Sequence, residues 1–166
     1  DRFTRKPIML TTREMKKEDI DNVSELLCSS YRYLSQIEDY SKSELDFLLI
    51  KRGSVETIER ESQIQKYIVA FEGEILVGMA AIAGCEITKL YVHPEWHRNG
   101  IGRQLFNYCK NEIFQEGHKE LKVIAIGEST LPFYIAMGMH EIQRKKCKIP
   151  AFASRMGIYL HMPFNK

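Results

Sequence analysis

A chain of 166 residues, 44% hydrophobic and 28% charged, has the composition of a folded domain with its own apolar interior, which excludes a disordered or fibrous protein. The formal net charge of +2 is too small a bias to argue for a nucleic-acid partner, and no apolar run reaches the roughly 18 residues of a membrane span. Asp1 to Pro7 carries basic residues with no apolar stretch behind it, so it is not a secretory signal. The expectation is one domain over residues 1–166, in the cytoplasm. Met9 is the expected native start, with residues 1–8 either left from cloning or disordered.

In chain order, Met9 to Met15 reads as an opening strand. Ile20, Val23, Leu27, Tyr31 and Leu34 then recur at helical spacing. Ser41 followed by Glu44 forms a capping box, with Leu45, Leu48 and Leu49 on the apolar face of a second helix. Gly53-Ser54 breaks it, and a further helical piece runs to Gln63. Tyr67–Phe71 and Ile75–Ala83 are apolar runs around a Glu72-Gly73-Glu74 turn, a hairpin pattern, and Glu86–Val92 is the next strand. A helix follows from Gly100 to about Glu116, with Ile101, Leu105, Cys109 and Ile113 on one stripe and Gly117 at its C-cap. Leu121–Ile126 is a strand, Leu131–Met137 a short helix, and His140–Ile149 and Gly157–Met162 two closing strands. This order is α+β, without a regular βαβα alternation.

The four cysteines, Cys28, Cys85, Cys109 and Cys147, stand far apart and form no metal or redox pair, which suits buried thiols in a reducing compartment. Nothing places a base beside Cys109, so a nucleophilic role has no support. No triad of metal-ligand spacing occurs, so no metal is expected. Arg144, Lys145, Lys146 and Lys148 read as a solvated strand face.

The informative stretch runs from Glu86 to Arg103. A strand enters a turn at Pro94, and Gly100 and Gly102 open a helix. Glycines there let backbone amides approach an anion, and the first-turn amides lie at the positive end of the helix dipole. Arg98 and Arg103 add charge at the rim. A dinucleotide fingerprint wants glycine or alanine at position 105, where Leu105 stands, and the P-loop pattern fails outright.

The run Leu90-x-Val92-x-Pro94, then His97-Arg98-Asn99-Gly100-Ile101-Gly102, resembles the signature of the GNAT superfamily of N-acetyltransferases, whose core is Q/R-x-x-G-x-G/A. Leu131-Pro132-Phe133-Tyr134-Ile135-Ala136-Met137-Gly138-Met139 is similar to the family's Phe-Tyr-x-x-x-Gly-Phe segment. The resemblance implies a three-layer α/β/α acyl-CoA N-acyltransferase-like fold with a mixed, mostly antiparallel central sheet. It implies acetyl-CoA as cosubstrate, with the backbone of Leu90, Tyr91 and Val92 pairing with the pantetheine arm. The amides of His97, Arg98, Asn99, Gly100, Ile101, Gly102 and Arg103 would hold the pyrophosphate. One amide of the Leu90–Val92 strand, often beside a β-bulge, would face the thioester oxygen.

The chain departs from the pattern twice. His97 stands where Gln or Arg is usual, and Gly127 where many members have Asn, so Ser129 or Thr130 would take over that pantetheine contact.

An amine must lose its proton to be acetylated, and the resemblance gives that task to Glu86, directly or through water. Period-two alternation puts Glu86 on the side of Thr88, Leu90 and Val92. An ordinary strand-end carboxylate is the other reading, and both stay open. Tyr134 is the candidate acid for the leaving thiolate, against a purely packing role. Glu72 and His93 are weaker site candidates. The resemblance leads to a small-molecule or peptide primary amine attacking in a ternary complex, with a non-catalytic acyl-CoA-binding domain as the rival. Acids at Glu38 and Asp39 would suit a cationic acceptor, and a homodimer is left open.

Overall fold

The computed structural model describes residues 8–165, so the expectation for the segment ahead of Met9 lies, over residues 1–7, outside the described residues. The elements are β1 (Leu10–Glu14), α1 (Ile20–Ile37), α2 (Lys42–Phe47), α3 (Val55–Glu61), β2 (Lys66–Glu72), β3 (Ile75–Ala83), β4 (Glu86–Val92), α4 (Ile101–Gln115), β5 (Glu120–Ile126), α5 (Leu131–Ala136), β6 (His140–Lys146) and β7 (Met156–Pro163).

Local chemistry explains most of the boundaries. Glu44 N–H donates to Ser41 Oγ (3.1 Å) and Ser41 N–H to Glu44 Oε1 (2.8 Å), so the capping box at the start of α2 is formed in full. Leu48–Arg52 continues as one π-helical stretch, and Gly53 N–H closes it on Leu48 O at 2.8 Å. β6 stops at Lys146, three residues short of the expected Ile149. Pro150 has no N–H to give a ladder, and Phe152, fully buried, turns inward against Tyr40 and Phe47 at 5.2 and 6.2 Å.

The strands form one mixed sheet in the order β1-β2-β3-β4-β5-β7-β6, antiparallel except at β4–β5. One face packs on α4 and α5 through Leu105, Phe106, Cys109, Ile113 and Tyr134. The other packs on α1 and α3 through Val23, Leu27, Tyr31 and Ile58. This is the expected three-layer α/β/α arrangement. All seven residues of β6 are exposed: Arg144 pairs with Glu141 at 2.8 Å and with Glu128, and Lys145 lies 4.6 Å over the Tyr159 ring. That is the solvated face expected of the basic cluster. Cys109 is fully buried, which pushes its thiol up to about 12 and leaves it inert at neutral pH.

Two irregularities in β4 position everything that follows. Its pairing with β5 consists of one register pair, Glu86 with Lys122, supported by Lys122 N–H donating to Cys85 O at 2.9 Å. Beyond that rung the two parallel strands part. On the other edge of β4 the register with β3 shifts between Ala81–Lys89 and Ile82–Ile87, which makes Thr88 the extra residue of a β-bulge.

Candidate active site

The hydrogen-bonding sense of β4 follows from one bond. His93 N–H donates to Val77 O at 2.9 Å, so Val77–His93 is a hydrogen-bonded antiparallel pair, and the pairs two residues on, Met79–Tyr91 and Ala81–Lys89, are of the same kind. The alternate residues Leu90 and Val92 therefore point their N–H and C=O groups away from β3, into the gap that β5 has left. Of the four backbone groups there, Leu90 N–H, Leu90 C=O and Val92 N–H stand ready for an extended ligand. The fourth is engaged, because His97 Nε2 lies 2.9 Å from Val92 O.

At the open end of the gap, Pro94–Trp96 forms a 3₁₀ turn and α4 begins. Arg98 (φ +66°) and Gly100 (φ +75°) both take left-handed backbone to make this turn. A Cβ on Gly100 would meet nothing within 4 Å, because it would point into open space beside the first-turn amides of α4. At Gly102 the need is for packing: a Cβ would stand 3.3 Å from the Phe133 ring, so its absence lets α5 close on α4. Asn99 donates to Trp96 O (2.9 Å) and His97 O (3.1 Å), which braces the turn.

These features share a cleft of about 620 Å³ lined on the β4 side by Leu90, Tyr91 and Val92 and at its open end by His97, Arg98, Gly100, Ile101, Gly102 and Arg103. Of the residues expected to hold the cofactor, Asn99 alone does not line it. Ser129 and Thr130, expected to stand in for the missing Asn, do. The reason for Gly127 is visible. A Cβ there would come within 2.6 Å of the Glu38 carboxylate, which accepts the Ser129 N–H at 2.9 Å. Glu38 thus anchors the loop into α5, and one of its oxygens is committed to backbone.

The free edge of Leu90 and Val92, the amides at the start of α4 and the rim guanidiniums fit the arm and pyrophosphate of a coenzyme A thioester.

Tyr134 lines the cleft from α5 and is only 8% exposed. Burial raises its phenol well above the ordinary value near 10, so it keeps its proton at neutral pH. Glu86 is placed differently from expectation. The bulge at Thr88 breaks the period-two alternation: Ile87, Leu90 and Val92 pack towards α4, and Glu86, adjacent to Ile87, faces the opposite side with Tyr91. It stands at the rung where β4 and β5 part and is not among the cleft-lining residues. Burial raises its carboxyl, with Lys122 opposing the shift. Glu72 and His93 lie outside the cleft, and His93 Nδ1 instead accepts Glu95 N–H at 3.1 Å.

The family resemblance implies that the segment of about Leu34 to Ser43 shapes the acceptor site, and the structure puts its first part, with Tyr33 before it, on α1. Tyr33, Leu34 and Ile37 of α1 line the cleft, and Tyr33 meets the His97 ring edge-on at 5.0 Å. Their signal was present: Tyr33 and Ile37 are apolar residues off the main stripe of α1, 39% and 51% exposed. Trp96, half-buried against the α4 core, lines the rim.

A family model described as the acetyltransferase (GNAT) domain matches residues 36–156. No curated protein matches the sequence significantly. Among solved structures, a GCN5-related N-acetyltransferase from Rhodopseudomonas palustris superimposes with a TM-score of 0.83 at 19% identity, covering 93% of this chain and 95% of that one. The PaiA N-acetyltransferase of Thermoplasma acidophilum, solved in complex with coenzyme A, gives 0.72 at 16% identity over 94% and 99%. YncA from Salmonella typhimurium, solved with its cofactor acetyl-CoA, gives 0.67 at 14% over 95% of both chains. At these identities the structural likeness is one of fold.

Proposed function

This chain belongs to the GNAT acetyltransferase family, and from that membership we propose that it transfers an acetyl group from acetyl-CoA to a primary amine, of a small molecule or peptide, by direct attack in a ternary complex. The observation that carries the reading is the edge of Leu90 and Val92 turned away from β3 beside the amides that open α4, with Tyr134 lining the same cleft.

The residues divide the work as follows. The gap-facing groups of Leu90 and Val92 hold the pantetheine arm as though it were a strand, and one of their N–H groups faces the thioester oxygen, where negative charge develops. First-turn amides of α4, with Arg98 and Arg103 at the rim, bind the pyrophosphate. The neutral amine nitrogen forms a bond to the thioester carbon, the carbon–sulfur bond breaks, and the sulfur takes a proton from Tyr134. The amine's proton leaves through water. Glu86 is the base that receives it, from the side of β4 that carries Tyr91, which supports a water-mediated route over direct contact.

Incubating the protein with acetyl-CoA and a panel of primary amines, and following released thiol, tests this. Amine-dependent release is expected for at least one acceptor class. Tight acetyl-CoA binding with no amine-dependent release across the panel would leave a non-catalytic acyl-CoA-binding domain instead.

A further inference from the structure

We propose that Thr88 and Lys89 are positioning residues for the coenzyme arm: together they pin the β4 bulge that turns the backbone of Leu90 and Val92 towards the gap. This rests on the coenzyme reading of that edge; a bulge there is what the family resemblance implies, and what is added is the pair of side chains that hold it in this chain.

Below the bulge, Cys85 O faces β5, where it accepts Lys122 N–H at 2.9 Å. In a regular strand the residues of the same parity, Ile87, Lys89 and Tyr91, would then present their backbone to the gap, and Leu90 and Val92 would face β3. One extra residue at Thr88 inverts that sense. The bulge therefore decides which backbone groups a ligand meets.

Side chains invert with the backbone. Ile87 packs in the α4 core among Leu105, Cys109 and Ile113. Without the bulge, Lys89 would follow Ile87 onto that dry face, where its ammonium would find no partner. With the bulge it points to the α3 side, 7% exposed, with Nζ 3.1 Å from Glu61 Oε2. Tyr67 hydroxyl donates to the same carboxylate at 2.9 Å, and Arg52 stands 3.6 Å from it. A buried ion pair is a weak source of stability, and its best-attested use is to specify register. Thr88 secures the extra residue itself. Its hydroxyl lies 2.5 Å from Gln65 Oε1 and 3.3 Å from Ala81 O, the carbonyl opposite the bulge, with one proton between the two acceptors.

The test uses the full chain with Lys89→Met, Lys89→Arg and the isosteric Thr88→Val. Two quantities are read: amide hydrogen exchange along β4 without ligand, and calorimetric affinity for coenzyme A. In the parent, Leu90 and Val92 amides should exchange fast and Tyr91 slowly. In Lys89→Met this alternation should weaken or invert, and coenzyme A affinity should fall at least tenfold, with Lys89→Arg recovering most of it. Thr88→Val should shift both in the same direction, by less, and it decides the matter if Lys89→Met does not fold. Unchanged alternation in the folded variants overturns the proposal whether or not coenzyme A binds. A parent that binds no coenzyme A counts against the functional reading, and the exchange pattern still judges the bulge.

Discussion

Tyr134 and Glu86 differ in what their replacement should do. Tyr134→Phe removes one hydroxyl and leaves the ring packed beside Phe106 and Phe133, so acetyl-CoA affinity should hold while turnover falls by roughly 10², the low end for a positioned acid because a thiolate leaves fairly well unaided. Single-turnover and steady-state rates with one active amine check this, and equal rates for variant and parent would return the tyrosine to the core. As the proposed base, Glu86 would act in its charged form. Burial raises its carboxyl, so the parent's rate should fall, as pH drops, at a higher pH than an ordinary glutamate would give. Glu86→Gln should lose that acid limb, be slowest relative to the parent near neutral pH, and recover as pH rises and the amine sheds its proton unaided. A pH–rate profile of both proteins reads the difference.

Between helices and strands, two joints carry testable weight. Gly100 holds φ +75° at the start of α4, and a β-branched residue there adds about 1–2 kcal/mol of backbone strain as well as a side chain in the path proposed for the pyrophosphate. Gly100→Val should therefore lower coenzyme A affinity, by calorimetry, more than it lowers thermal stability. The second joint is Arg155, which grips the α1–α2 turn. Its Nε and Nη2 donate to the Glu44 carboxylate at 2.5 and 3.0 Å, its Nη1 to Glu38 O at 3.1 Å and its Nη2 to Asp39 O at 3.0 Å. That guanidinium is the main reason Glu44 titrates at about 2 in the fold, against an ordinary 4.5. A depressed carboxyl stabilises the fold fully above its unfolded value and loses the contribution as pH falls from about 4.5 towards 2, up to about 3 kcal/mol in all. Arg155→Ala should thus destabilise the protein near neutral pH, with the difference closing through that window in denaturant melts. The two joints are not equally legible in the sequence. Gly100 and the Ser41–Glu44 box show in the sequence because their chemistry is local. Arg155 reaches more than a hundred residues back to its partner, and Glu38 meets Gly127 only once both ends are folded. A bulge beside Leu90–Val92 was implied by the resemblance, but its place at Thr88 was not legible: strand alternation assumes that no residue is extra, and the residues that secure it, Gln65 and Glu61, come from another part of the chain.

For the molecule as a whole, a ligand that binds the folded cleft and not the unfolded chain must raise stability. At about a hundred times its dissociation constant, acetyl-CoA should add about 2.7 kcal/mol, or roughly 5–10 °C in melting temperature for a chain of this size. NAD and ATP at equal concentration should give less, and a clear NAD response without one to acetyl-CoA would contradict the fit of the cleft. The fold also carries its own optical probe. Trp96 is the single tryptophan of the chain, and it sits on the rim of the cleft beside the turn that leads into α4. Its indole emission therefore reports from one place, the mouth of the cleft proposed for the coenzyme, with no tryptophan background from the rest of the sheet. A quench or shift on adding coenzyme A yields a binding isotherm without any label. The same signal followed in denaturant times the opening of this mouth, and its comparison with backbone circular dichroism tells whether the mouth loosens before the sheet does.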